Sequence, residues 1–413
     1  VERIMKTLAR SLAVSAPSTL PVTGFDRRIA ALLALRFGNA AVGVALWNGE
    51  MFCANGAAVE SSLRIADRAT LVKLLTRPSF EFGDCYARGL VEVDGDLVAT
   101  LTALFVHAWT RPSPWSGLAT LRDRLTLRSK RTARSNARHH YDLGNDFYRL
   151  WLDQRMLYSC AYFPTPDTSL EDAQSAKIDL VCRKLGLRAG QSVVELGSGW
   201  GALALHMASR YGVKVRAFNV SQEQVAWSRE HARRAEIDGR VEFVADDYRN
   251  ARGRYDAVVS VGMLEAVGPG NYRSFGAHIA RLLDPAGRAL VHTIGRHRPL
   301  PTNAWIRRRI FPGGYAPSLG EMSAIFEPND LAILDIENLR LHYALTLQHW
   351  LGRFRAERSA VARQKGEDFA RTWELYLAAS QASFASGWSH LYQVVCTRAA
   401  NNAIAWTRVS GGV

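Results

Sequence analysis

A chain of 413 residues is too long for one ordinary hydrophobic core, and 48% hydrophobic residues supply material for two packed domains, which excludes a mainly disordered chain. The net charge of +14 and a pI near 9.9 imply attraction to a polyanion, whether nucleic acid, an anionic membrane surface or acidic metabolites. The alternative is a merely solubilising surface. Five scattered cysteines, odd in number and without a CxxC pair, argue against a disulfide framework or zinc cage and for a reducing cytoplasm.

At the N-terminus Arg3, Lys6 and Arg10 interrupt the apolar residues, unlike a secretory signal. No apolar run anywhere approaches the ~18–20 residues needed to span a bilayer. From about 20 to 105, short apolar runs such as 42–47 alternate with the turn signals Asn48-Gly49, Asn55-Gly56 and Asp94-Gly95-Asp96. A helix over 67–75 interrupts them, so a small α+β domain without a catalytic constellation is expected over 1–106. Residues 107–138 read as a connector. Pro112 and Pro114 break an incoming helix, Trp115 stands at the entrance, and Leu118, Leu121 and Leu125 recur at helical spacing among seven basic residues from Arg122 to Arg138. Such a stretch suits an anionic lipid surface, and it equally suits a linker helix packed on its own protein.

Downstream, in the expected catalytic domain 139–413, strands and helices alternate. Strands are predicted at 192–196, 213–218, 241–245, 256–261 and 288–294, with helices at 202–211, 222–235 and 272–283. Apolar strands separated by amphipathic helices predict an α/β fold, a parallel sheet covered on both faces. A Pro/Gly-rich segment (299–328), a strand around 331–341, helices and a last strand near 391–397 follow.

The strongest local signal is Glu195-Leu196-Gly197-Ser198-Gly199-Trp200-Gly201, a strand running through a glycine turn into a helix. Glycines let the backbone approach a nucleotide-like ligand at the carboxyl ends of the strands. Two details favour S-adenosylmethionine (SAM) over a dinucleotide. The loop is shorter than G-x-G-x-x-G, with Glu195 placed to meet the donor's ammonium group. And the corner after the second strand, Asn219-Val220-Ser221-Gln222, lacks the acid that would hold a dinucleotide ribose. Asp246-Asp247-Tyr248 follows the third strand at the level of an adenine-binding loop, or is a plain turn capped by Asp. Cys160, Glu265, His292 and Tyr343 have no obvious core role. The last three follow or end strands, and so can reach the same sheet edge. Each also has a plain structural reading: small buried hydrophobe, helix-start acid, satisfied core histidine, packed tyrosine.

A series of segments then resembles the cyclopropane-fatty-acid synthase and mycolic acid cyclopropane synthase family. It comprises His140-Tyr141-Asp142-Leu143-Gly144-Asn145-Asp146-Phe147-Tyr148, Met156-Leu157-Tyr158-Ser159-Cys160-Ala161-Tyr162-Phe163, Leu170-Glu171-Asp172-Ala173-Gln174 and the glycine loop. Ser221-Gln222-Glu223-Gln224, Asp247-Tyr248-Arg249, Gly262-Met263-Leu264-Glu265, Leu290-Val291-His292-Thr293-Ile294, Ile310-Phe311-Pro312-Gly313-Gly314 and His342-Tyr343-Ala344-Leu345-Thr346-Leu347 follow in order. The N-terminal unit matches chiefly through Phe82-Gly83-Asp84-Cys85-Tyr86, and looks like the accessory domain linked in that family to lipid access and dimer formation.

The resemblance implies a Rossmann-like class I SAM-dependent methyltransferase with a mostly parallel seven-stranded sheet. It implies a bicarbonate ion on the side chains of Cys160, Glu265, His292 and Tyr343 and the backbone of Ile294. SAM would contact Tyr158, Ser159, Gly197, Gly199, Ser221 and Gln224, beside Glu195, Gly201, Asn219, Val220, Asp246, Asp247 and Tyr248 around the loops. No metal is implied. The expected substrate is an unsaturated phospholipid, met by a homodimer at the cytoplasmic face of an anionic membrane; no nucleic-acid module is recognised. Methyl transfer to an alkene leaves a carbocation, from which bicarbonate would take a proton. One departure stands out: the family commonly has Glu-His-Val-Gly where this chain has Glu265-Ala266-Val267-Gly268. A methyl or methylene branch, a furan precursor, or a SAM-binding protein without turnover are the alternatives to a cyclopropane ring.

Overall fold

The computed structural model describes residues 20–54, 58–108 and 143–404. The N-terminal basic residues, the Asn55-Gly56 turn, the basic connector beyond residue 108 and His140-Tyr141-Asp142 lie outside the described residues.

The larger unit is built on a seven-stranded sheet. Its strands are β5 (Ser192–Leu196), β6 (Lys214–Phe218), β7 (Val241–Val244), β8 (Tyr255–Val261), β9 (Leu283–Gly295), β10 (Leu331–Asn338) and β11 (His390–Arg398), in the order β10-β11-β9-β8-β5-β6-β7. The five strands from β5 to β9 are parallel, and β11 inserts antiparallel between β9 and β10. Strand order therefore reverses at β5, which pairs with β6 on one side and β8 on the other; this is where a doubly wound sheet opens a crevice beyond its carboxyl edge. Alternate residues feed two cores. Val193, Val259 and Leu290 face one set of helices, whereas Val194, Val258 and Val291 face the other. The helix Leu170–Leu185 closes the first core, capped by Ser169 at its start and by left-handed Gly186 at its end. Strand β9 begins five residues earlier than its apolar run suggests, because Leu283 pairs with Tyr255 ahead of an irregularity between Tyr255 and Ala257.

The smaller unit has a mixed four-stranded sheet, β2-β1-β3-β4, of β1 (Val42–Ala45), β2 (Met51–Phe52), β3 (Ser61–Ile65) and β4 (Val91–Asp94). It is more helical than its turn signals imply, with helices Gly24–Phe37, Arg68–Thr76, Pro78–Ala87 and Leu97–Ala108. Asp94-Gly95-Asp96 leads into a helix rather than a hairpin, with the Asp96 carboxylate accepting from Ala99 N–H at 2.8 Å. Nor does this unit end near residue 106. Residues 303–310 and 350–388 belong to it, although they lie inside the expected catalytic span. The reason lies in Phe82-Gly83-Asp84-Cys85-Tyr86. A Cβ on Gly83 would sit 2.3 Å from the Trp305 indole, Arg309 grips both Asp84 carboxylate oxygens, and Arg371 donates to Tyr86 O at 2.7 Å while lying over its ring.

Candidate functional site

At the carboxyl edge of β5, β6 and β8 lies a cleft with about 1250 Å³ of empty space, part of it open to solvent. Its base is the glycine loop. Gly197 and Gly199 have φ of 95° and 51°, a region that disfavours side chains, and a Cβ on Gly199 would meet nothing within 4 Å. Gly199 thus leaves open space for a ligand. Asn219 braces the loop from the end of β6: its amide donates to Gly199 O and to Gln224 Oε1, both at 2.9 Å, and its Oδ1 accepts from Ser221 N–H at 3.0 Å.

Of the expected donor-site residues, Tyr158, Ser159, Glu195, Gly197, Gly199, Asn219, Val220, Gln224, Asp246, Asp247 and Tyr248 line the cleft. Gly201 and Ser221 do not. A Cβ on Gly201 would strike Ser228 Oγ at 2.7 Å, so its role is helix packing, and the Ser221 hydroxyl caps the helix Gln222–Arg234. Asp246-Asp247-Tyr248 lies on the cleft and is also an Asp-capped turn. The residues line the cleft, yet Asp247 pairs with Arg249 through two bonds of 2.8 and 2.9 Å and Asp246 accepts from Asn250 at 2.7 Å, which stiffens the loop. Behind it His278 Nε2 donates to Tyr248 O at 2.8 Å.

Three buried polar atoms on the cleft wall have no hydrogen-bond partner among the described residues: Glu195 Oε2, Ser198 Oγ and Gln224 Nε2. Buried polar groups are seldom left so, and a polar ligand seated in the cleft satisfies them. Burial pushes the Glu195 carboxyl up to about 8, against the pull of nearby Lys177. The segment that carries Tyr158 and Ser159 is held tightly. Asp153 accepts from Leu157 N–H at 2.8 Å and Arg155 N–H at 3.0 Å around Met156, which takes φ of 60° on the cleft wall. The segment 143–151 packs behind the cleft residues Trp200 and Tyr158, with Tyr148 5.1 Å from Trp200 and 5.5 Å from Tyr158, and Trp200 donating to Asn145 at 2.7 Å.

The expected bicarbonate residues lie off the cleft wall, in the interior beside it. The short helix Leu264–Val267 joins the two places, since Ala266 lines the cleft while the Glu265 carboxylate accepts from Ile294 N–H at 2.6 Å. Burial raises the Glu265 carboxyl and drives His292 well below the ordinary histidine value, leaving the imidazole neutral. Cys160 Sγ contacts Ala161 O at 3.1 Å and Leu339 O at 3.9 Å, and Leu339 O also accepts from Tyr343 N–H. Glu265 with Ile294, and Cys160 with the Tyr343 helix start, are therefore each brought together.

Two buried polar residues escape the sequence reading. Gln393, opposite His292 on β11, donates to His292 Nδ1 at 3.1 Å, which places the imidazole proton on Nε2, a buried atom with no protein partner. Its only sequence signal is a polar residue inside an apolar strand. Lys177, one turn beyond Gln174 on the helix Leu170–Leu185, lines the cleft and donates to Ser159 Oγ at 2.9 Å. A lysine in the buried stripe of an amphipathic helix is its signal. Among the described residues no cluster suits a metal ion, and no helix is long and apolar enough to cross a membrane.

Comparison with known proteins agrees with this geometry. The model of the mycolic acid cyclopropane synthetase family matches residues 128–394. The cyclopropane-fatty-acyl-phospholipid synthase of Escherichia coli K12 is 38% identical over 279 residues, covering 67% of this chain and 72% of that protein. The tuberculostearic acid methyltransferase of Mycobacterium tuberculosis is 40% identical over 331 residues, 76% of each chain. The solved structure of a mycolic acid cyclopropane synthase complexed with SAH and CTAB matches with a TM-score of 0.61 at 30% identity, covering 64% of this chain and 98% of that one.

Proposed function

The chain belongs to the mycolic acid cyclopropane synthetase family and is a SAM-dependent methyltransferase of the cyclopropane synthase type, and from that premise we propose that it builds a cyclopropane ring on the cis double bond of an unsaturated phospholipid acyl chain. The observation that carries this reading is the helix Leu264–Val267, which puts Ala266 on the donor cleft and the Glu265 carboxylate into the polar interior directly behind it. Methyl addition breaks the donor's S–C bond, forms one C–C bond and leaves a carbocation on the chain. Ring closure then removes a proton from the transferred methyl group, whose electron pair forms the second C–C bond.

Bicarbonate, when held here, supplies the base for that proton. The buried Nε2–H of His292, without a partner among the described residues, suits a small oxyanion, and an acceptor of this kind would satisfy that donor. Glu265, Tyr343, Cys160 and His292 would orient it, with Ile294 fixing the Glu265 carboxylate. Burial keeps the Cys160 thiol protonated, so no thiolate competes for the cation, and it keeps His292 neutral with its Nδ1 lone pair engaged by Gln393. The dry surroundings protect the cation from capture as an alcohol. The net charge of +14 supports work at an anionic membrane surface, reached from the cytoplasmic side, and the family resemblance supports a homodimer.

Incubation with SAM and vesicles of cis-monounsaturated phospholipid, followed by acyl-chain analysis, tests the reading. Gain of one carbon with cyclopropyl protons by NMR is the expected result; no one-carbon gain on any unsaturated lipid overturns it. A second reading, a methyl or methylene branch on the same alkene, is favoured by Ala266 on the cleft wall and by the similarity to the tuberculostearic acid methyltransferase. A furan-fatty-acid precursor as acceptor belongs to that second reading. The same NMR spectrum separates the ring from the branch.

A further inference from the structure

The donor cleft contains two buried side chains of opposite charge type that do not touch. Glu195 stands at the end of β5 and Lys177 on the helix packed against it, and both line the cleft. Each is almost wholly removed from solvent, at 2% and 1% exposure. Yet no ion pair joins them. Lys177 makes one hydrogen bond, to Ser159 Oγ, out of three that an ammonium can donate, and Glu195 Oε2 makes none. Leaving a buried ammonium and a buried carboxylate each short of partners is expensive, and direct contact would be the ordinary remedy. Burial pulls Lys177 down to about 8 and pushes Glu195 up to about 8, so each gains by meeting an opposite charge.

The surroundings hold this separation in place. Gln174, one turn before Lys177 on the same helix face, donates to Leu157 O at 3.2 Å and to Ser159 O at 2.9 Å, which fixes the Ser159 backbone beside Lys177. Glu195 is fixed by its strand, paired with Ala217 on one side and Val259 on the other. At another part of the cleft wall, Tyr248, Phe218 and Val220 offer apolar surface for a nucleoside base. The polar pair is therefore matched to the other end of the donor, an α-amino acid that carries one positive and one negative group.

We propose that Lys177, acting with the Ser159 hydroxyl, binds the carboxylate of the donor's amino-acid end, opposite Glu195, which binds its ammonium. This rests on the donor-site reading of the cleft and adds how the zwitterion is recognised. In this arrangement the ammonium of Lys177 gains a direct carboxylate contact, which neither Glu195 nor the nearby buried Asp153 supplies. The two poles also fix the orientation of the amino-acid arm, and with it the direction in which the sulfonium methyl group points.

The test is calorimetric binding of two ligands to the full chain. S-adenosylhomocysteine carries the amino-acid end, and 5′-methylthioadenosine is the same thioether nucleoside without it. In Lys177→Met the affinity for S-adenosylhomocysteine should fall about ten- to a hundredfold, as for loss of a charge-assisted hydrogen bond, while that for methylthioadenosine stays within about twofold. Ser159→Ala should shift the same ratio in the same direction by a smaller factor. Equal losses for both ligands would assign Lys177 to packing of the cleft and overturn the proposal, as would unchanged affinity for S-adenosylhomocysteine. Should thermal melting show that Lys177→Met does not fold, Ser159→Ala decides alone, and an unchanged ratio overturns the proposal. If the wild-type chain bound neither ligand, the donor cleft itself would be refuted, a result distinct from loss of selectivity.

Discussion

The two halves of the site, the donor cleft and the interior behind the helix Leu264–Val267, differ in how their polar groups are held. The cleft presents buried polar atoms of Glu195, Ser198 and Gln224 that have no partner among the described residues. The interior too leaves His292 Nε2 and Gln393 Oε1 without partners among the described residues, but its expected reactive groups are each held by the protein: Ile294 N–H bonds Glu265, Gln393 bonds His292, and Cys160 rests against carbonyl oxygens. A cleft of the first kind selects a ligand, whereas an interior of the second kind holds reactive groups in one protonation state. Substitutions in the two halves should therefore separate binding from turnover. Glu265→Gln carries the largest expected effect, a fall of about 10²- to 10⁴-fold in kcat with little change in S-adenosylhomocysteine affinity. The check is single-turnover kinetics beside calorimetry; parallel loss of both quantities would move Glu265 to the donor side.

Within the donor half, two neighbouring glycines give the next contrast. Gly199 faces open space and Gly201 faces Ser228 and Phe243. Gly199→Ala is expected to weaken S-adenosylhomocysteine binding by about tenfold or more, at a backbone cost of about 1–2 kcal/mol for the left-handed φ. Gly201→Ala combines a φ of 85° with a Cβ 2.7 Å from Ser228 Oγ, so its main effect should be a lower melting temperature. Ligand titration and thermal melting of the two variants would show this, and interchange of the two outcomes would break the assignment.

This pair also shows what was legible in the sequence. Strand-turn-helix patterning located the glycine loop and predicted the helix 202–211 that follows it, because a parallel strand buried on both faces leaves a long apolar run. The three glycines look alike in sequence, however, and only Ser228 and Phe243, distant along the chain, distinguish Gly201. Lys177 and Gln393 were missed for the same reason. Each sits in an apolar pattern whose single polar member reads as noise until the sheet register sets Gln393 opposite His292. The assignment of 303–310 and 350–388 to the smaller unit was likewise illegible, since it depends on Gly83 making room for Trp305 and on Asp84 meeting Arg309.

Acid should act on both halves through buried neutral histidines. Burial pulls His278, behind the donor loop, down to about 4, and drives His292 well below its ordinary value of 6.5. Below pH 6.5 the unfolded chain takes up protons that the native chain refuses, so stability falls as pH drops. For His278 the loss runs from about 6.5 to about 4 and then levels; for His292 it continues to lower pH. His278→Gln preserves a donor for Tyr248 O, and should flatten the fall in melting temperature over that window by roughly 2–4 °C. A pH profile of melting parallel to that of the wild type would show that His278 is not the titrating group.

The smallest change in rate, and the one that bears most directly on the boundary between the halves, is expected from Ala266→His. Position 266 lines the cleft while the carboxylate of its neighbour Glu265 is bound to Ile294 N–H, so an imidazole here adds a polar group to the cleft wall and leaves the Glu265–Ile294 bond in place. Ala266 is exposed on the cleft wall, which leaves room for the larger side chain, and stability should change little. What changes is the polarity beside the developing carbocation. A group that accepts a proton or a hydrogen bond there favours one site of deprotonation over another, and the site of deprotonation decides between a ring and a branch. NMR of the acyl products should therefore show an altered ratio of cyclopropyl to branched signals, with kcat within about threefold of the wild type. An unchanged ratio would place the determinant of product outside residue 266, and would leave the two halves of the site joined by the helix backbone alone.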